Sequence, residues 1–453
     1  MPQQPLSEGH QVFISRPVSS VGGEITVPGD KSMSHRALLL SSIADGTSII
    51  RGFLQSEDCL ATLSALRAMA VDVAVEGDDL KILGVGVEGL QSPPGPLNLG
   101  NSGTAIRLLA GVLAAQQFDS VLTGDASLRK RPMERVAIPL RLMGAMIETR
   151  GGGGAPLKIK GGRSLTGIDY SLPIASAQLK SALLLAALWA EGKTTIHAPN
   201  PSRDHTERML GMMGVKIEQS SNHTVSLTGG GRLEAQEINI PGDFSSAAFF
   251  LVAGLLGAPD GLLIRNVGVN PTRTGLLTIL QEMGGQVELR DQRECGGEPI
   301  ADLFVTQSEL RGIEVHTGLV SLSIDEFPVL FIAAACAQGK TIVTGAEELR
   351  HKESDRLGVM ATGLRILGVS VAEYPDGLSI EGGLISGGRI DSQGDHRIAM
   401  AFAIASLAAE GDIEILRTEE VATSFPDFVS VAARSGLAIE IAQSKGKDGL
   451  GDE

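Results

Sequence analysis

The alternation of apolar and polar positions divides the chain into apolar runs at helical spacing, each followed by a Gly-centred turn and a short apolar strand. The helix-to-strand exits ADGTSIIRG from Ala44, AEGKTTIHAP from Ala190, APDGLLIRNVG from Ala258, AQGKTIVTGA from Ala337 and AEGDIEILRT from Ala409 share one design, with AAQQFDSVLTG from Ala114 a looser copy. Upstream of each run, a short strand is expected to end in a polar knot: ITVPGDKSMSHR, LNLGNSGTAIR, YSLPIASAQLK, INIPGDFSSAA, LSIDEFPVL and IDSQGDHRIA. Downstream, a second helix closes on another Gly-centred strand entry in RLMGAMI, LGMMGVKI, LQEMGGQV, LRILGVSV and AARSGLAI; the first copy has Ala70 in place of that Gly. The knots begin near positions 25, 97, 169, 237, 321 and 389. This spacing predicts six copies of a β-α-β-α-β unit, with room for an extra strand in each. Each Gly is expected to carry the chain out of its helix in a left-handed conformation.

A unit of roughly 70 residues is marginal alone, so the copies should stack, three to a domain. The near-duplicate strings TVPGDKS at Thr26 and NIPGDFS at Asn239 open the first and fourth units and mark the expected crossings, near 28–30 and 241–243. One domain is then expected over 30–240, and a second, discontinuous one over 1–29 plus 241–453. The strand candidate QVFISRP from Gln11 is expected to pair within the second domain, and the tail SKGKDGLGDE to fray.

Composition narrows the function classes. The 453 residues include 38 Lys plus Arg against 53 Asp plus Glu, a formal charge of -15, which argues against a nucleic-acid partner held by a general basic field. The 57 Gly fit a fold rich in helix exits, and 12 Phe, 2 Tyr and 1 Trp are too few for base-stacking or sugar platforms. Cys59, Cys295 and Cys336 are odd in number and far apart, as in a reducing, cytoplasmic setting; they read as small core residues. The first ten residues carry no targeting pattern, and no apolar stretch is long enough to span a bilayer, so no membrane association is expected.

Every knot falls at an expected helix N-terminus, where free N–H groups and the helix dipole favour anions. Basic residues there oppose the dipole and need another reason, which singles out Lys31, Arg36 and Arg397 as anion ligands. Asp325 and Glu326 read either as ordinary caps or as functional carboxylates. RHKESDR from Arg350 to Arg356 reads either as a solvated helix face or as a site in which Lys352 and Arg356, four apart, share a face beside a proton-carrying Glu353. Arg131, Ser176, Gln178 and Arg203 are further candidates. GDKS lacks the upstream Gly of a phosphate-binding P-loop, and His205 and His396 have no spaced partner for a metal.

The motifs GDKSMSHR, GNSGTAIR, RPM, SAQLKSALLLA, SRDHTERM, PGDFSSAAF, NPTRTG, IDEFP, RHKESDR and GDHRIAMA, in this order along nearly the whole chain, resemble the enolpyruvyl transferase family. SRDHTERM and NPTRTG look like its class II branch acting on shikimate 3-phosphate. The resemblance implies an α/β (α+β) fold of two globular domains, each of three β-α-β-α-β-β units, closing around a cleft. It implies transfer of the enolpyruvyl group of phosphoenolpyruvate to the 5-hydroxyl of shikimate 3-phosphate, without metal or organic cofactor, and a monomer is expected. By motif match, Asp325, Glu353 and Lys31 would be catalytic. Shikimate 3-phosphate would lie on Lys31, Ser32, Arg36, Ser176, Ala177, Gln178, Arg203, Asp325 and Lys352, and phosphoenolpyruvate on Lys31, Gly103, Arg131, Gln178, Arg356 and Arg397. Two positions depart from part of the family: Thr423 stands where a lysine grips phosphoenolpyruvate, and Glu348 stands in place of Asn. Gly103 leaves the room that an Ala methyl would fill, so glyphosate is expected to compete with phosphoenolpyruvate. The sister branch acting on UDP-N-acetylglucosamine has a loop cysteine with no counterpart between Cys59 and Cys295. A non-catalytic phosphosugar-binding protein is the other alternative.

Overall fold

In the computed structural model, which describes residues 9–220 and 223–444, the apolar runs fold as paired α-helices. The first helix of each pair, in chain order, is α1 (Lys31–Ser42), α3 (Gly103–Leu113), α5 (Ala177–Ala187), α7 (Phe244–Gly257), α9 (Phe327–Cys336) or α11 (His396–Ala405). The second is α2 (Glu57–Ala68), α4 (Glu134–Leu142), α6 (His205–Met212), α8 (Gly275–Glu282), α10 (Arg356–Ile366) or α12 (Phe428–Arg434). The first helices are almost wholly buried, and all but α1, which carries Lys31, Ser32, Ser34, His35 and Arg36 in its first half, are mainly apolar, so they form the interior, while the second helices keep an exposed face. Buried hydrophobic residues form two separate clusters. One runs from Met33 to Ile240; the other joins Phe13, Val21, Ile25 and Val27 to residues from Phe244 to Leu437.

Each unit contributes a small sheet, and two sheets depart from the simple sequential expectation. Gly23–Thr26, expected to open the first unit, instead pairs parallel with Leu262–Gly268 of the fourth. Glu237–Asn239, expected to open the fourth, pairs parallel with Asp45–Arg51 of the first. The duplicated strings therefore exchange their strands. Where they pass each other, the Asp30 N–H donates to the Pro241 carbonyl and the Asp243 N–H to the Pro28 carbonyl, both at 2.8 Å. Gln11–Arg16 lies between Ile413–Leu416 and Ala438–Gln443, antiparallel to both, so the N-terminal strand completes the sixth sheet.

The fifth unit has no strand at 321–324. Successive turns absorb its backbone, with Leu322 donating to Leu319, Ser323 to Val320 and Glu326 to Ser323, which leaves nothing for a sheet neighbour. Single bridges from Arg311 to Gln338 and from Glu314 to Ile342 take the edge position instead.

The exits at Gly46, Gly192, Gly261 and Gly339 have positive φ. Gly411 does not, because α11 runs into a 3-10 turn over Ser406–Ala408 and leaves through extended Ala409. At the second exits, Ala70 adopts φ 66° where Gly144, Gly214, Gly284, Gly368 and Gly436 take φ 85–108°. The three cysteines are unpaired, and burial pushes the Cys59 thiol up to about 12. Most of the tail SKGKDGLGDE, from 445 onward, and the first eight residues lie outside the described residues.

Candidate active site

Five of the six knots end in a side chain that caps its helix: Asp30, Ser102, Ser176, Asp243 and Asp395 each accept a backbone N–H of the first turn. The knot before α9 is different. Glu326 occupies the cap position without a side-chain hydrogen bond to the helix, and Asp325 beside it is held by cations. Its Oδ1 meets Lys352 Nζ at 3.3 Å and Arg356 Nη1 at 3.4 Å, and its Oδ2 accepts from Arg203 Nη2. The capping reading of this pair therefore fails.

Glu353 is held in the same way. Its Oε1 lies 3.2 Å from Arg131 Nη1 and its Oε2 2.7 Å from Arg356 Nη2. Lys352 and Arg356 do not share a helix face as their spacing suggests. Glu347–His351 is a 3-10 turn, Lys352 is extended, and α10 begins only at Arg356, so a loop rather than a helix brings both cations onto Asp325. Nor is the segment a solvated surface, since Arg356 is 1% exposed and its Nε binds Asp395 at 2.8 Å.

Burial alone would raise both carboxyls, but the cations outweigh it. Lys352, Arg203, Arg397 and Arg356 hold Asp325 well below its ordinary range; Arg131 and Arg356, helped by Lys352, do so for Glu353. Both are ionised at neutral pH. Burial, with Lys31 and Arg397 nearby, pushes the His396 imidazole well down, so that ring is neutral.

The remaining candidates surround this pair. Lys31 opens α1 and pairs with Asp58. Arg203 Nη1 reaches Ser32 Oγ at 3.5 Å. Ser176 Oγ accepts from the Leu179 N–H, which leaves its own hydroxyl hydrogen free for a ligand, and Ala177 begins α5 beside it. Arg36 is the most enclosed: Nε donates to Thr206 and Nη2 to Ser181, both at 2.7 Å, and Nη1 to the Ser32 carbonyl at 2.9 Å. Burial lowers its pKa to about 10. Arg397 is 9% exposed, and among the described residues no side chain or carbonyl accepts from its guanidinium.

Several residues that sequence reasoning passed over complete the cluster. Arg107, at the start of the second turn of the apolar helix α3, donates to Gln178 Oε1 at 2.7 Å and to the Gly103 carbonyl at 3.1 Å. Burial, reinforced by Arg131 and Arg135, pulls its pKa to about 9. Gln178 in turn donates to Thr104. Asn101 accepts from Arg131. A basic residue inside an otherwise apolar, buried helix was the available signal for Arg107; Asp58 reads as an ordinary acidic helix start. A Cβ at Gly103 would lie 2.7 Å from Arg131 Nη1 and 2.9 Å from Arg107 Nη1. Of the two departures, Thr423 turns its hydroxyl to the Glu420 carbonyl, and Glu348 pairs with Arg135 at 2.7 Å.

Lys31, Arg107, Arg131, Arg203, Lys352, Arg356 and Arg397 thus gather around Asp58, Asp325, Glu353 and Asp395, an excess of cations that suits polyanionic ligands. Two ionised carboxylates embedded in that field can accept and return protons.

A family model described as EPSP synthase (3-phosphoshikimate 1-carboxyvinyltransferase) matches residues 15–431. The chain is 55% identical to a 3-phosphoshikimate 1-carboxyvinyltransferase of Methylococcus capsulatus, over 95% of this chain and 99% of that protein. It is 54% identical to one of Acidithiobacillus ferrooxidans, with the same coverage. Its fold is similar to that of the solved EPSP synthase of Acinetobacter baumannii, with a TM-score of 0.86 at 51% identity, covering 96% of this chain and 100% of that one.

Proposed function

The chain belongs to the EPSP synthase family, and we propose that the cation-lined cluster around Asp325 and Glu353 is where it transfers the enolpyruvyl group of phosphoenolpyruvate to the 5-hydroxyl of shikimate 3-phosphate, releasing phosphate. The observation that carries the residue-level reading is the placement of two ionised carboxylates, one on each side of Arg356, within an excess of cations.

In this reading shikimate 3-phosphate takes Ser32, Ser176, Ala177, Gln178, Arg203 and Lys352, with Lys31 at its edge and Arg36 offering its second Nη1 hydrogen. Phosphoenolpyruvate takes Lys31, Gly103, Arg131, Gln178, Arg356 and Arg397. Arg397, whose guanidinium has no acceptor among the described residues, is the cation most ready for an anion. When the shikimate phosphate draws on Arg203 and Lys352, the field that depresses Asp325 weakens and its basicity rises, which suits it to accept the 5-hydroxyl proton. The oxygen then adds to C2. Phosphoenolpyruvate anions drawing on Arg131 and Arg356 raise Glu353 likewise, which suits it to take up a proton from solvent before closure and, with Lys31, to pass that proton to C3. The tetrahedral intermediate collapses by loss of phosphate and of a C3 proton, returning the double bond.

Two bodies, 30–240 and 1–29 plus 241–453, would close on the substrates and expel water; the two separate hydrophobic clusters of the described residues support this division. Among the described residues no helix is long and apolar enough to cross a membrane, and a cytoplasmic monomer is proposed. The test is phosphate release from phosphoenolpyruvate with shikimate 3-phosphate, beside the same assay with UDP-N-acetylglucosamine. Release with the first alone supports the reading; release with the nucleotide sugar alone, or with neither, overturns it.

A further inference from the structure

We propose that Arg273 is a positioning residue that holds Lys31 and Asp325 in register across the two chain crossings. This rests on the roles given to those two residues above.

Arg273 lies in NPTRTG, touches none of the proposed substrate ligands, and is 3% exposed. Its fork spans the two crossings: Nη1 donates to Asp30 Oδ2, and Nη2 to Asp243 Oδ1 at 3.0 Å. These aspartates hold the same place in the duplicated PGD strings, and each caps the helix that follows, α1 for Asp30 and α7 for Asp243. Nη2 also donates to Ser245 Oγ at 2.6 Å, and that hydroxyl donates to Glu326 Oε1. Asp30 immediately precedes Lys31, and Glu326 immediately follows Asp325. One buried guanidinium is therefore linked, directly through Asp30 and by way of the Ser245 hydroxyl through Glu326, to the chain one residue from Lys31 and one residue from Asp325.

The geometry calls for arginine in particular. A planar fork can engage two carboxylates and a hydroxyl at once, whereas a lysine ammonium is a single point that cannot span both crossings. Lysine keeps the charge that Asp30 and Asp243 need, so Arg273→Lys tests the register with the charge preserved. Ser245→Ala leaves both aspartate contacts and cuts only the link to Glu326.

The experiment measures kcat and KM for both substrates, with thermal melts and calorimetric binding of shikimate 3-phosphate, on the full chain. Arg273→Lys is expected to lower kcat about 10- to 100-fold, the scale of an ångström-sized misplacement, while both KM values and the binding affinity stay within about threefold. Ser245→Ala is expected to lower kcat by about three- to tenfold with KM unchanged, and it decides the matter if Arg273→Lys does not fold. Unchanged kcat in the folded variants, or a raised KM at full kcat, would overturn the proposal. Wild-type turnover in the same assay reports on the assigned reaction by itself; its absence would remove both readings, whereas a normal wild type with normal variants removes only this one.

Discussion

Gly103→Ala places a methyl where the structure has two guanidinium groups. Its Cβ would stand 2.7 Å from Arg131 Nη1 and 2.9 Å from Arg107 Nη1, well inside ordinary contact, so at least one arginine must withdraw. Neither is free to swing. Arg131 is tied to Glu353 and Asn101, and Arg107 to the Gly103 carbonyl and Gln178. On the proposed assignment of Arg131 to phosphoenolpyruvate, displacing it forfeits about one charge-assisted contact, about 1.5–3 kcal/mol, or about 10- to 150-fold in KM. Shikimate 3-phosphate, proposed to lie on Arg203, Lys352 and Ser176, should keep its KM within about threefold. Phosphate release at saturating shikimate 3-phosphate with varied phosphoenolpyruvate measures the first effect, and glyphosate inhibition should be weaker in Gly103→Ala than in the wild type. A KM for phosphoenolpyruvate within about twofold of wild type would refute the packing argument.

Three further outcomes follow from single contacts. Arg203→Ala, which removes the cation between Ser32 and Asp325, should weaken calorimetric binding of shikimate 3-phosphate by about 1.5–3 kcal/mol; unchanged affinity would discard Arg203 as a ligand. Ala70→Gly relieves a left-handed alanine and should stabilise the chain by about 0.5–1 kcal/mol despite glycine's entropic cost, read as a higher denaturant midpoint; a lower midpoint contradicts it. Glu420 is raised to about 7 by burial and by Asp125, Glu57, Glu419 and Asp58. Its folded pKa exceeds its unfolded one, so its ionisation destabilises the fold as pH rises through that interval. Glu420→Gln should therefore raise Tm at pH 8 and leave it unchanged at pH 5; an equal shift at both would sink the assignment.

Much of this architecture is legible in the sequence because its punctuation is physical. Glycines at helix exits and cations at helix starts each break a local rule, so the repeat and the knots around Lys31, Asp325 and Arg397 can be read directly. The exchange of Gly23–Thr26 with Glu237–Asn239 cannot, since pairing between strands so far apart leaves no trace in local periodicity; the duplicated strings mark its place and not its form. Lys352 and Arg356 were legible as partners, but through a helix face that a loop replaces. Asp58 and Arg273 escaped for a common reason. An acid in a helix's first turn and an arginine in a polar loop are ordinary locally, and only tertiary contacts give them a role.

The central claim is that Asp325 takes the 5-hydroxyl proton inside the cation cluster. The most direct measurement compares kcat with calorimetric affinity for shikimate 3-phosphate in Asp325→Asn. Removing the carboxylate charge leaves Arg203, Lys352 and Arg356 in place, so binding should hold within about threefold while kcat falls by about 10²–10⁴. Near-normal kcat with intact binding would contradict the claim.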